Sequence, residues 1–232
     1  MCGRFASVSR SEIATRFQVV VSEQAFPANY NVAPTSILPI ITLENEAFVL
    51  RGMKWGLVPA FAQDTKVGVK MLNARAESLH EKAAFRGLIA SQRCLIPADG
   101  FYEFETKGKQ KYPIRFLPKH EEMCSLGGLF SIWKSPENAQ ELLYTFTIIT
   151  TEPNELVKPI HDRMPLMFNV LQEKEWLNPA RKSYADLADL LQPFPAEEMK
   201  CYPVSPLLNR VKNKGADLWK LYVRTSDLFH AD

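Results

Sequence analysis

Strand-like runs that follow one another directly, separated by turns rather than helices, constrain this chain most. Residues 37–43 and 47–54 read as strands around a Glu44-Asn45-Glu46 turn. Segments 93–97, 101–106 and 111–117 are strand-like, with turns at Asp99-Gly100 and Lys107–Gln110. Two longer runs follow at 124–133 and 142–151, and the β-branched stretch Tyr144–Thr151 is the strongest strand signal. Sixteen prolines are spread through the chain, which favours many short elements. Ser9 to Glu12 reads as a capping box that opens a short helix burying Ile13 and Phe17. Helical spacing appears at 79–91, 170–178 and 183–191. Helices do not alternate with strands as a parallel sheet requires. The expected fold is α+β, a single domain over residues 1–232 with a mostly antiparallel or mixed β core flanked by short helices.

The 232 residues are 46% hydrophobic, enough to bury a full core. No stretch reaches the roughly 20 apolar residues of a membrane helix, and the start, Met-Cys-Gly-Arg-Phe, has no apolar signal region. A cytoplasmic, nucleoid-associated monomer is the expectation, with no cofactor and no metal. Cys2, Cys94, Cys124 and Cys201 show no metal-ligand spacing, and the last three sit in apolar contexts that predict burial. Net charge is +2 but unevenly spread. Residues 1–118 carry 15 Lys and Arg against 10 Asp and Glu, residues 119–200 carry 8 against 13, and residues 201–232 carry 5 against 3. A polyanion would meet the first half and the tail; ordinary solvated charge reads equally well.

Cys2 is the residue with the sharpest chemistry. Once the initiator methionine is lost, it carries an α-amine and a thiol on neighbouring carbons. That pair reacts with aldehydes: the amine forms an imine and the thiol closes a five-membered thiazolidine, helped by intramolecular proximity. The plain alternative is an incidental residue at a frayed terminus. Four further segments set polar groups in apolar surroundings: Tyr30–Pro34, Leu72–Glu77, Asp99–Phe104 and Ile160–Pro165.

Taken in order, Met-Cys-Gly-Arg-Phe, Tyr30-Asn-Val-Ala-Pro34, Trp55-Gly-Leu-Val-Pro59, Asn73-Ala-Arg-Ala-Glu77, Ala98-Asp-Gly-Phe-Tyr-Glu103 and His161-Asp-Arg-Met-Pro165 resemble the signature series of the SOS-response-associated peptidase (SRAP) family. The ending Asn209–Asn213 fits too, so the resemblance spans residues 2 to about 215. It implies a shield for abasic sites in single-stranded DNA, forming a thiazolidine through Cys2. Self-directed peptidase activity on Met1 uses the same nucleophile. By resemblance Cys2, Asn73, Glu103 and His161 are the catalytic set: Asn73 holds the reacting geometry, Glu103 meets the amine and assists sugar opening, and His161 shuttles a proton. Arg4, Arg75 and Arg163 resemble phosphate clamps, for which guanidinium forks are suited. Pro34, Trp55 and Phe104 resemble the apolar DNA-binding platform. Each has a plain reading too: a surface carboxylate, a core histidine, ion-paired arginines, a core indole. His80, His120 and His230 take the plain reading.

The sequence departs from the pattern at Phe61 and Phe104, where many relatives carry tryptophan. No extension follows residue 232, so the replication-clamp tail of eukaryotic relatives is absent from the expectation and a bacterial-type member is implied. Two rival functions remain: a glutamine amidohydrolase with the same N-terminal nucleophile, and a reader of single-stranded or modified DNA without covalent chemistry.

Overall fold

The computed structural model describes residues 2–121, 123–138 and 140–223; Met1 and His230 lie outside them. The chain runs through β1 (Phe5–Ser7), α1 (Arg10–Phe17), β2 (Asn29–Val32), β3 (Ile37–Glu44), β4 (Ala47–Trp55) and β5 (Asn73–Arg75). It continues through β6 (Arg93–Ala98), β7 (Phe101–Lys107), β8 (Gln110–Pro118), β9 (Cys124–Lys134) and β10 (Leu142–Thr151). Then come β11 (Met164–Pro165), β12 (Met167–Phe168), α2 (Val170–Leu177) and β13 (Met199–Pro203).

Five strands close on themselves. Their order is β10-β4-β3-β6-β9, and β9 pairs back to β10 in antiparallel register from Leu142↔Lys134 to Ile148↔Gly128. Closure removes the exposed edges that an open sheet must otherwise protect. β10 pairs β4 in parallel, which makes the barrel mixed. A second, antiparallel sheet has the order β13-β8-β7-β1-β2. Its inner face gives Phe5, Val32, Phe101 and Phe116 to a core shared with Ile40, Trp55, Phe146 and Ile148 of the barrel. A second core packs Ile13 and Phe17 of α1 and Trp176 of α2 against Ile41, Leu95 and Leu129 of the barrel. The outer face of the second sheet is covered by Val204, Leu208 and Leu218, which meet Ala6 and Tyr102.

The expected mixed β core with short helices is what the structure contains. Asn45 and Glu46 both take positive φ, the two-residue turn geometry that matches strand twist. Gly100 also has positive φ, and a Cβ there would sit 2.5 Å from the Phe116 carbonyl oxygen. Several expectations are corrected. α1 buries Ile13 and Phe17, but Ser9 makes no cap bond; its hydroxyl and amide both go to the Asp99 carboxylate, while Glu12 pairs with Arg16. Residues 79–91 form successive turns after a 3-10 segment, although Leu79, Phe85 and Ile89 are buried. Residues 183–191 likewise hold only a 3-10 turn at Ala185–Leu187. Apolar spacing there anchors loops to the barrel without continuous helical hydrogen bonding. Cys94 and Cys124 are buried as expected, whereas Cys201 is exposed on the edge strand β13.

Candidate active site at the N-terminal cysteine

The segment before β1 is threaded along the rim between the two sheets. Tyr102 N–H of β7 donates to the Arg4 carbonyl at 2.9 Å, fixing the chain two residues after Cys2. From the other side, Asn73 Nδ2 donates to the Cys2 carbonyl at 3.0 Å. Asn73 is aimed by β5, a three-residue strand docked in parallel on β10 through Ile148↔Asn73 and Thr150↔Arg75. The Asn73 Oδ1 is buried with no hydrogen-bond partner among the described residues. Cys2 itself is fully buried. Burial first, and the neighbouring Glu103 charge second, push its thiol far above the ordinary range. In this state it is a thiol rather than a thiolate.

Glu103 follows Phe101 and Tyr102 on β7, and all three are buried. Alternation puts Glu103 on the same face as Phe101, towards the barrel. Its side chain is 5% exposed, and its Oε1 has no hydrogen-bond partner among the described residues. Burial, reinforced by the Asp162 charge, pushes its carboxyl up to about 7. A carboxyl poised there exchanges protons near neutrality.

His161 meets Glu103 with Nε2 3.9 Å from Oε2. The Arg163 N–H donates to His161 Nδ1 at 2.9 Å. An accepting Nδ1 carries no proton, so the neutral ring presents Nε2–H to Glu103. Burial holds His161 below its ordinary value and keeps it in that neutral form. Asp162, 85% exposed, lies 2.9 Å from Nδ1. The four residues of the expected catalytic set fall into two pairs, Asn73 hydrogen-bonded to Cys2 at 3.0 Å and His161 3.9 Å from Glu103. The Glu103 charge disfavours a thiolate at Cys2.

The expected DNA-contact residues divide. Arg75 is exposed and lines an open depression of about 580 Å³ together with Lys158, His161 and Arg163. Pro34 and Phe104 are half-buried, and Phe61 is 66% exposed. Arg4 is half-buried and donates to Asn31 Oδ1 at 2.7 Å and to the Leu208 carbonyl at 2.9 Å. Arg163 is engaged internally. Its two terminal nitrogens reach both oxygens of Glu77, at 2.8 and 3.0 Å, and one also donates to the Thr150 carbonyl at 2.6 Å. Trp55 corrects the expectation of a stacking platform: it is fully buried, donates to the Leu72 carbonyl at 2.9 Å, and packs on Phe5 and Phe146. No face of its ring is open to a base. Glu77 and Asp162 lie within the family motifs, yet the sequence assigns them no role. Their contribution depends on a pairing across 86 residues and on a neighbour's ring, which linear spacing does not encode. Among the described residues no group of three or more His, Cys, Asp or Glu side chains is arranged to hold a metal ion.

A closed β-barrel bears a second sheet, and Cys2, Asn73, Glu103 and His161 lie at the rim between them. The chain belongs to the SOS response associated peptidase (SRAP) family, whose model matches residues 1–211. It is 43% identical over 222 residues to the abasic site processing protein YoqW of Bacillus subtilis, covering 94% of this chain and 98% of the relative. It is 44% identical to YoaM of the same organism, covering 94% and 97%. The abasic site processing protein HMCES of Gallus gallus is 33% identical, covering 82% of this chain and 65% of that protein. A crystal structure of a protein from Bacteroides thetaiotaomicron superimposes with a TM-score of 0.85 at 28% identity, covering 96% of this chain and 100% of that one.

Proposed function

We propose that this protein processes abasic sites in single-stranded DNA by capturing the sugar aldehyde on Cys2 once Met1 has been removed. The ring-opened deoxyribose presents an aldehyde at C1. The Cys2 amine adds to that carbon, and loss of one water gives an imine. The Cys2 sulfur then adds to the imine carbon while its proton passes to nitrogen. A thiazolidine results, and water is the only product released. Ring closure favours the adduct because both nucleophiles belong to one residue.

The observation that carries this reading is the pairing of a buried Glu103 carboxyl with a neutral His161 imidazole, 3.9 Å apart, beside Cys2. With its carboxyl near 7, Glu103 gives a proton to the sugar ring oxygen as the ring opens and takes one back from the amine. Neutral His161, with Nε2–H towards Glu103, relays protons to solvent. The Cys2 amine supplies donors for two buried acceptors, Asn73 Oδ1 and Glu103 Oε1, that otherwise have no partner among the described residues. Arg4 and Arg75 take phosphates, and Pro34 and Phe104 offer apolar faces to bases, which reads any sequence. Arg163 acts through its grip on Glu77 and Thr150, holding the His161 loop.

The test is incubation of Met1-processed protein with an abasic oligonucleotide, followed by a denaturing gel. A shifted band that disappears in Cys2→Ala is expected. Absence of the band in the wild type overturns the reading, and release of ammonia from glutamine would favour an amidohydrolase instead.

A further inference from the structure

A cavity of about 510 Å³ opens on the outer face of the second sheet, and none of Cys2, Asn73, Glu103 or His161 lines it. Alternation along β8 turns Phe116 inward to the shared core and Arg115 and Leu117 outward. The register with β13 sets Tyr202 opposite Arg115 and Lys200 opposite Leu117, so these four side chains share one face. Trp219 forms one wall, and Lys119, just past the end of β8, stands on the rim.

Arg115 sets the character of this cavity. It is 5% exposed, and it makes no ion pair among the described residues. Its Nε and one terminal nitrogen donate to the Asp99 carbonyl at 3.1 and 2.7 Å, and the other terminal nitrogen donates to the Tyr202 hydroxyl at 2.6 Å. These bonds use three of the five guanidinium N–H groups and leave one on each terminal nitrogen. The guanidinium carbon stands 3.5 Å from the centroid of the Trp219 ring. A carbonyl, a hydroxyl and a ring face hold the group without neutralising it, and a buried charge without a counter-ion is costly. The two carboxylates nearby are already engaged. Asp99 accepts from the Val8 and Ser9 N–H groups and the Ser9 hydroxyl, and Glu121 pairs with Arg16. Lys119 and Lys200 add two exposed ammonium groups, and Lys200 Nζ donates to the Lys119 carbonyl at 3.0 Å, which brings it to the same rim.

We propose that this cavity is a second ligand site, one that takes a small phosphate monoester. The two open N–H groups of Arg115 meet two phosphate oxygens, and Lys119 and Lys200 complete the neutralisation of the dianion. The volume is that of a small-molecule pocket. Asp99 and Glu121 on its lining disfavour a continuous polyanion, which sets it apart from a nucleic-acid surface.

The experiment follows thermal melting of the full chain against glycerol phosphate, with potassium chloride at matched ionic strength as the control. A ligand that binds only the folded chain raises the melting temperature with its concentration. Wild type should show a saturable rise beyond that in chloride. Lys119→Ala/Lys200→Ala should need about tenfold more ester for the same rise, the loss expected of one charge-assisted contact. Arg115→Lys keeps the charge without the fork and should weaken binding at least as much; if it does not fold, the lysine pair decides. A rise matched by chloride, or undiminished in the lysine pair, would overturn the site. A second arm titrates the ester by calorimetry in the presence of saturating single-stranded DNA that has no terminal phosphate. Unchanged ester affinity is expected, and competition would overturn the small-ester assignment by making the cavity part of the DNA surface. Neither arm depends on removal of Met1 or on crosslinking, so each outcome is independent of the abasic-site reading.

Discussion

The Glu103 Oε2 and the His161 Nε2 stand 3.9 Å apart across a rim that no local sequence pattern joins, 58 residues separating them in the chain. The carboxyl is buried and pushed up to about 7; burial holds the imidazole below its ordinary value, and the Arg163 N–H donates to its other nitrogen. The carboxyl can take or give a proton near neutral pH beside an imidazole that stays neutral. The pair is thus suited to a reaction that both gives and takes protons.

Glu103 also makes a prediction about stability. Its folded value, about 7, lies above the ordinary 4.5. The contribution of its protonated form is therefore in place below about 4.5 and lost as pH rises through about 7, a change of about 3 kcal/mol. Urea unfolding at several pH values should show wild-type stability falling over that window. Glu103→Gln should flatten the fall while slowing crosslinking at least tenfold. A variant that crosslinks at the wild-type rate removes Glu103 from proton transfer.

Asn73→Ala deletes the donor to the Cys2 carbonyl. One neutral hydrogen bond is worth about 1 kcal/mol, so the crosslinking rate should drop about five- to tenfold from misplacement of Cys2. Affinity for undamaged DNA should stay within about twofold. Equal losses in both would show that Asn73 serves DNA binding instead.

Arg75 and Arg163 should separate cleanly. Arg75 is exposed, so Arg75→Ala should flatten the salt dependence of DNA binding by about 0.7 with little change in melting temperature. Arg163→Ala breaks a clamp on Glu77 and Thr150 and should cost about 1–3 kcal/mol in denaturant unfolding. Glu77 is half exposed, so the larger share of that loss comes from the Thr150 carbonyl and the loop it holds. A salt slope changed more by Arg163→Ala than by Arg75→Ala would reverse these roles.

Trp55→Phe should lower stability by about 2–3 kcal/mol through reduced volume and the missing bond to the Leu72 carbonyl. Its affinity for single-stranded DNA should remain that of the wild type. A selective loss of DNA affinity with unchanged stability would restore the stacking role that burial argues against.

The barrel strands and the β7–β8 hairpin of the second sheet were legible because they are long and adjacent in the chain. β3, β4 and β6–β10 all fall where the runs at 37–54 and 93–151 lie. The short strands β1, β2, β5, β11, β12 and β13 were not, since two to five residues carry no period of their own and are held by partners far along the chain. The spacing at 79–91 misled because Leu79, Phe85 and Ile89 bury from consecutive turns as well as from a helix. At the site, the ordered motifs singled out Cys2, Asn73, Glu103 and His161, which the fold brings to the rim between the sheets. They did not reveal that Trp55 is core, because an apolar motif residue reads the same whether it packs inward or faces a base. Nor did they reveal the internal use of Arg163, whose partners Glu77 and Thr150 are brought to it only by β5 and β11 docking on β10.

The central claim is that the amine and thiol of Cys2 act together on an aldehyde. Intact mass of the crosslinked product tests it most directly. Met1-processed protein is incubated with an abasic oligonucleotide, denatured without any reductant, and weighed. The expected result is an adduct equal to protein plus DNA less one water, unchanged by borohydride and absent from Cys2→Ala. An adduct that survives only after borohydride reduction would be a simple imine, and one that forms equally in Cys2→Ala would place the chemistry elsewhere; either result contradicts the claim.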